Sequence, residues 1–154
     1  MTKFLLAVHV LAAIIAIGPI TVAASMFPAM MRRALAVPPD PQAASWARLL
    51  HRICRVYAVA GVAVPVFGLA TASSLGVLTD AWLLVSMALT VAAALLLTLV
   101  VLPHQAALTA GLDAPEPPAG RAIPRLAMVT GMFNLLWAVV TVLMIVRPGS
   151  TTGA

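Results

Sequence analysis

Four stretches of the chain are apolar at nearly every position, separated by segments where proline, arginine and acidic residues collect. They cover 4–27, 56–78, 81–102 and 126–146. None carries the polar stripe every third or fourth residue that a helix on a soluble core shows. At about 1.5 Å per residue, each is long enough to cross a hydrocarbon core about 30 Å thick. No stretch alternates in the manner of a barrel strand, and helices are then the remaining way to satisfy the backbone in lipid. The pattern predicts an all-α fold, an antiparallel four-helix transmembrane bundle. It forms one domain over 1–149, with 150–154 as a disordered tail.

Punctuation sets the expected element ends. Pro28 closes the first helix, and Pro38-Pro39-Asp40-Pro41 forbids helix in the loop that follows. Ser45 is the expected N-cap of an extension, SWARLLHRICR, that feeds the second span. Thr79-Asp80 makes a short turn, Pro103 ends the third helix, and Arg147-Pro148-Gly149 ends the fourth. Residues 113–120, DAPEPPAG, read as a flexible loop. Lys3 and Val22-Ala23-Ala24 give the first run some likeness to a secretion signal. The run is longer than a signal's apolar region and is followed by Arg32-Arg33, so it is read as a retained span.

Composition narrows the class. The chain is 63% hydrophobic and 8% charged, against about 25% charged in a soluble domain. Its net charge of +5 comes from basic residues too scattered for a nucleic-acid face. Their placement orients the bundle instead. Seven of the nine, Arg32, Arg33, Arg48, Arg52, Arg55, Arg121 and Arg125, fall in or beside loops 28–55 and 103–125. That bias puts both loops in the cytoplasm and both termini outside. Arginine far exceeds lysine, as in a GC-rich bacterial genome, so the membrane expected is the bacterial cytoplasmic (inner) one. Trp82, Trp46 and Tyr57 are candidate interface anchors. Cys54 is the lone cysteine, which excludes an internal disulfide.

Candidate chemistry is sparse. His9 is the one ionisable group inside the first span, and such a group is a functional-site hypothesis. Three readings are open: a neutral imidazole bonded across helices, a haem-iron ligand, and a proton relay. On a straight-helix ruler, Ser73, Ser74, Ser86, Met87 and Thr141 fall in the same layer as His9. On the fourth helix, Thr130, Asn134, Trp137 and Thr141 share one face, which should turn inward and bond across helices. Small residues mark packing faces: Ala12 and Ala16; Gly61, Pro65, Gly68 and Ala72; Ser86, Thr90 and Ala94. His51 and His104 are expected as solvated loop histidines far from His9.

His9-Val10, Ala12, Gly18, Arg32-Arg33, Arg52, Arg55, Pro65, Gly68, Arg125, Asn134 and the closing Val146-Arg147-Pro148 together carry a resemblance. The chain resembles the HemJ-type protoporphyrinogen oxidases, within a broad group of four-span bacterial proteins that includes the copper-resistance D domain. The opening HVLAAI and TVAASMFP also resemble an actinobacterial membrane family of unknown function. The resemblance implies that His9 binds haem b. The group's third-span lysine reads Ser86 here, counted from Trp82, and no lysine follows Lys3. A second axial ligand would then be Met87, water, or nothing from this chain, and enzymatic activity is not expected. The rival expectation is a cofactor-free accessory or assembly subunit of a larger membrane complex. Expected partners are the lipid bilayer and a second copy or other membrane subunits, and no nucleic acid.

Overall fold

The computed structural model describes residues 2–114 and 121–149. Most of the 113–120 loop and the 150–154 tail lie outside the described residues. The protein is all-α, with four packed helical spans, each long and apolar enough to cross a membrane. It is a multi-pass membrane protein. Span one is α1 (Thr2–Ala34). Span two is α2 (Pro41–Ala60) followed by α3 (Ala63–Leu75). Span three is α4 (Ala81–Leu95), a π-helical segment (Leu96–Val101) and α5 (Leu102–Gly111). Span four is α6 (Ala122–Val146). The bundle has an arginine-rich end, bearing the loops after α1 and α5, and a hairpin end, bearing the turn between α3 and α4.

Several helix ends differ from the sequence expectation. Pro28 does not close α1, which runs on through Pro19 and Pro28 to Ala34. In a bilayer, neighbouring helices and local adjustments re-satisfy backbone groups that proline frees, so proline does not terminate a span there. Pro103 likewise does not end the third span. The π-helical turns lie just before it, where the hydrogen-bond ladder must lose a donor in any case. Ser45 does not cap α2 either. Asp40 does, its Oδ1 accepting the N–H groups of Gln42 (2.9 Å) and Ala43 (3.1 Å), with Pro41 in the first helical position. The Ser45 hydroxyl donates to the Pro41 carbonyl inside the first turn.

Span two bends at Gly61-Val62. Pro65 has no N–H to offer the Gly61 carbonyl, which instead accepts from Val64 at 3.1 Å, a tighter turn. The α3–α4 turn is longer than Thr79-Asp80 alone. It starts at Gly76, whose φ of 71° is the left-handed cap conformation that glycine adopts without a Cβ penalty. As expected, α6 stops before Arg147-Pro148-Gly149.

Packing is uneven along the bundle axis. The main core lies toward the arginine-rich end, where Phe27, Met31, Cys54, Ala93, Val101, Leu126 and Phe133 are all but sealed from the surface. There α2 packs against α5, and α1 against α2 and α6. At the hairpin end the separate core cluster is small, consisting of Ala72, Trp82 and Leu83 with Val77 and Met87 beside it. Trp82 therefore turns inward rather than outward to headgroups. Its indole N–H donates to Asp80 (3.0 Å), and the Arg147 guanidinium lies 5.5 Å over its ring. No residue from 3 to 15 on α1 is buried.

Candidate functional site

His9 is half-buried and sits opposite the bend in span two. Its Nδ1 donates to the Val64 carbonyl at 2.9 Å, which ties α1 to α3. A carbonyl only accepts, so Nδ1 carries a proton. Gly68 makes this approach possible: a Cβ there would lie 2.9 Å from His9 Cε1 and 3.3 Å from Nδ1. Gly68, with the Val64 carbonyl beside it, thus seats the imidazole. Gly68 was legible in the sequence as part of a small-residue face, though not as a histidine seat.

The layer expected around His9 does not converge on it. Ser86 is fully buried and donates to the Trp82 carbonyl of its own helix (2.8 Å). Met87 packs with the Trp82 cluster. Ser73 and Ser74 are exposed, and the Ser74 hydroxyl donates to Thr71 in its own helix. Thr141 is also exposed and donates to the Trp137 carbonyl one turn back rather than across helices. Serine and threonine in spans are readily satisfied in this way by their own helix.

His51 and His104 lie on helices, not in solvated loops. His104 Nδ1 donates to the Val100 carbonyl of its own span (2.7 Å). His51 Nδ1 donates to Gln105 Oε1 (3.2 Å), and Gln105 Nε2 reaches Cys54 Sγ (3.7 Å). Gln105 is fully buried, and this chain of three side chains joins α2 to α5 inside the bundle. Sequence reasoning missed it. The available signal was the four-residue recurrence of inward positions, Ala93, Leu97, Val101 and Gln105, which runs past Pro103. Among the described residues, no three His, Cys, Asp or Glu side chains come together as a metal site.

The fourth-helix polar face meets α1. Asn134 Nδ2 donates to Ser25 Oγ at 3.0 Å. One turn toward the arginine-rich end, Thr130 is 2% exposed and its hydroxyl has no partner. Asn134 Oδ1 and the Trp137 indole N–H are buried without partners as well. Beside them opens a cleft of about 170 Å³, lined by Ser25, Pro28 and Arg32 from α1 and by Ala127, Thr130, Gly131 and Asn134 from α6. Elsewhere, a shallow apolar trough runs between Arg55, Val59 and Val62 of span two and Thr98 and Leu102 of span three.

No family model, no curated protein and no solved structure matches the chain. What it is follows from its own architecture: a four-span integral membrane protein whose polar side chains tie helices together.

Proposed function

We propose that the protein is a cofactor-free accessory subunit of a larger complex in the bacterial cytoplasmic membrane. In that membrane both termini lie outside and the arginine-rich loops lie in the cytoplasm. The observation that carries this reading is the thin packing of the hairpin-end half. From residue 3 to 15 no side chain of α1 is fully buried within the chain, and Phe4, Leu11, Ile14 and Ile15 are large exposed side chains. Helices in lipid gain stability from close van der Waals packing with other helices. α1 packs on α3 through its His9 face, but its opposite face lacks such packing inside the chain and is suited to gain it from another one.

A second reading keeps haem b at His9. In its favour, Nδ1–H bonded to a backbone carbonyl is the arrangement that orients a ligating imidazole, with Nε2 left for iron. Other features do not fit an enclosed haem. Gly68 closes on one edge of the ring, and neither the α1–α6 cleft nor the apolar trough includes His9. The Ser86 hydroxyl is engaged within α4, and Met87 is packed against Trp82.

Two measurements on the protein expressed in haem-replete bacteria decide between these readings. The purified protein is expected to show no Soret band, oxidised or reduced. A stoichiometric Soret band that His9→Ala abolishes would establish the haem reading. A photo-crosslinking residue at Ile14 is expected to give a discrete protein adduct in native membranes, identified by mass spectrometry. Adducts with lipid alone at Ile14, and equally at Leu11, would overturn the accessory reading.

A further inference from the structure

We infer that the cleft between α1 and α6 is a binding site for a hydroxylated acid: a carboxylate with a hydroxyl a few bonds away. The inference is independent of the accessory-subunit reading and rests on what the cleft leaves unpaired. The Thr130 hydroxyl is 2% exposed, has no partner and lines the cavity. Asn134 lines it too, its Nδ2 anchored on Ser25 while its Oδ1 stays buried and unbonded. A buried, unpaired polar atom is costly, and native structures rarely leave two in one place. An amide oxygen only accepts, so the missing partner must donate at Asn134.

Arg32 lines the same cleft and is exposed. Among the described residues it has no carboxylate partner, the ion pair formed there being Arg48–Asp113. Arginine meets a planar acid with a fork of donors, which makes it suited to a carboxylate. Antiparallel α1 and α6 place Arg32 beside Ala127 at the mouth and the Ser25–Asn134 bond at the floor. Mouth and floor are seven residues apart on each helix, about 10 Å. The long arginine side chain shortens that span from above. The Thr130 hydroxyl, between them, can donate to the acid while Asn134 Oδ1 accepts from the ligand's hydroxyl.

Size agrees with chemistry. The cavity of about 170 Å³ has the volume of roughly five waters, enough for a small polar head but not for a large one. Its walls are kept open by small residues. A Cβ on Gly131 would meet nothing within 4 Å, so the space in front of it is free. The acid could belong to a lipid, as a β-hydroxy fatty acid whose tail lies in the bilayer, or to a short free hydroxy acid.

The test is equilibrium binding of radiolabelled acids to the full-length protein in phosphatidylcholine nanodiscs, with empty nanodiscs as control. Probes are β-hydroxymyristate, myristate and β-hydroxybutyrate. Saturable binding of β-hydroxymyristate is expected, about tenfold or more tighter than that of myristate, which lacks the hydroxyl. Arg32→Gln should weaken it about tenfold or more. Gly131→Leu, which fills free space on a helix that leucine favours, should abolish it while leaving the circular dichroism unchanged. Asn134→Leu should erase the preference over myristate, and Thr130→Val should weaken both acids. β-Hydroxybutyrate binding as tightly as the long-chain acid would identify a free acid as the ligand, and much weaker binding would identify a lipid. Equal binding of β-hydroxymyristate and myristate to the wild type would overturn the proposal. So would binding that survives Gly131→Leu, or no saturable binding at all, which would leave water as the occupant.

Discussion

The two halves of this bundle are made of similar residues and behave differently. Toward the arginine-rich end, Phe27 is fully buried among residues of the main core. Toward the hairpin end, Phe4 on the same helix is 69% exposed. Both are phenylalanines on a membrane-spanning helix. What separates them is how fully the chain surrounds α1 at each point and which face each occupies, the two lying about 140° apart around a regular helix. α2 and α5 close the arginine-rich half around α1 and α6, while in the hairpin half α1 packs on α3 and α4 on α6, with the small Trp82 cluster and the His9 tie between them. In lipid, apolar character does not choose between a helix neighbour and an acyl chain, so packing geometry makes the difference.

The sharpest way to break the comparison is a matched pair of truncations. Phe27→Ala should cost about 3–5 kcal/mol of unfolding free energy in detergent, since a large side chain leaves a sealed site. Phe4→Ala should stay within about 0.5 kcal/mol, as surface changes do. Equal costs, measured by denaturant titration followed by circular dichroism, would show that the two halves are packed alike. An intermediate effect is expected at the His9 seat. Gly68→Ala forces a methyl within 2.9 Å of the imidazole and should cost about 1–3 kcal/mol. In a His9→Ala background the same change should become nearly neutral, a coupling that a double-mutant cycle measures directly. Additive effects would mean that the ring is not what Gly68 accommodates. The smallest effect belongs to Arg48–Asp113, a 2.7 Å ion pair with both side chains well exposed. Asp113→Asn should cost about 0–1 kcal/mol, and the difference should shrink as salt is raised.

The fold was readable because hydropathy over twenty residues is a strong signal and four such runs leave little choice of architecture. Element ends were less readable. Pro28 and Pro103 are strong stops in water, yet here the helix continues through both. Asp40-Pro41 was a better start signal than Ser45, since a carboxylate cap followed by proline supplies both an acceptor and a preset first turn. The polar face of the fourth helix could be traced from spacing for Thr130, Asn134 and Trp137. Its partner on α1 could not, because Ser25 lies 109 residues away and no local pattern points to it. The Val64 carbonyl was hidden for a different reason: a backbone acceptor leaves no mark in a sequence. Thr141 shows the limit of the face rule, since α6 turns that position outward near its end.

The π-helical turns of Leu96–Val101 have a numerical consequence. Four residues rotate a regular helix by about 400°, overshooting a full circle by about 40°. Ala93, Leu97, Val101 and Gln105 recur at that interval and are all buried. Over three steps a regular coil would carry the last of them about 120° away from the first. The widened turns absorb that drift, so the third span holds roughly one residue more than its geometry requires. A related chain winding this span regularly would face the same direction at both ends with one residue fewer, and aligning the two correctly would call for a single gap placed there.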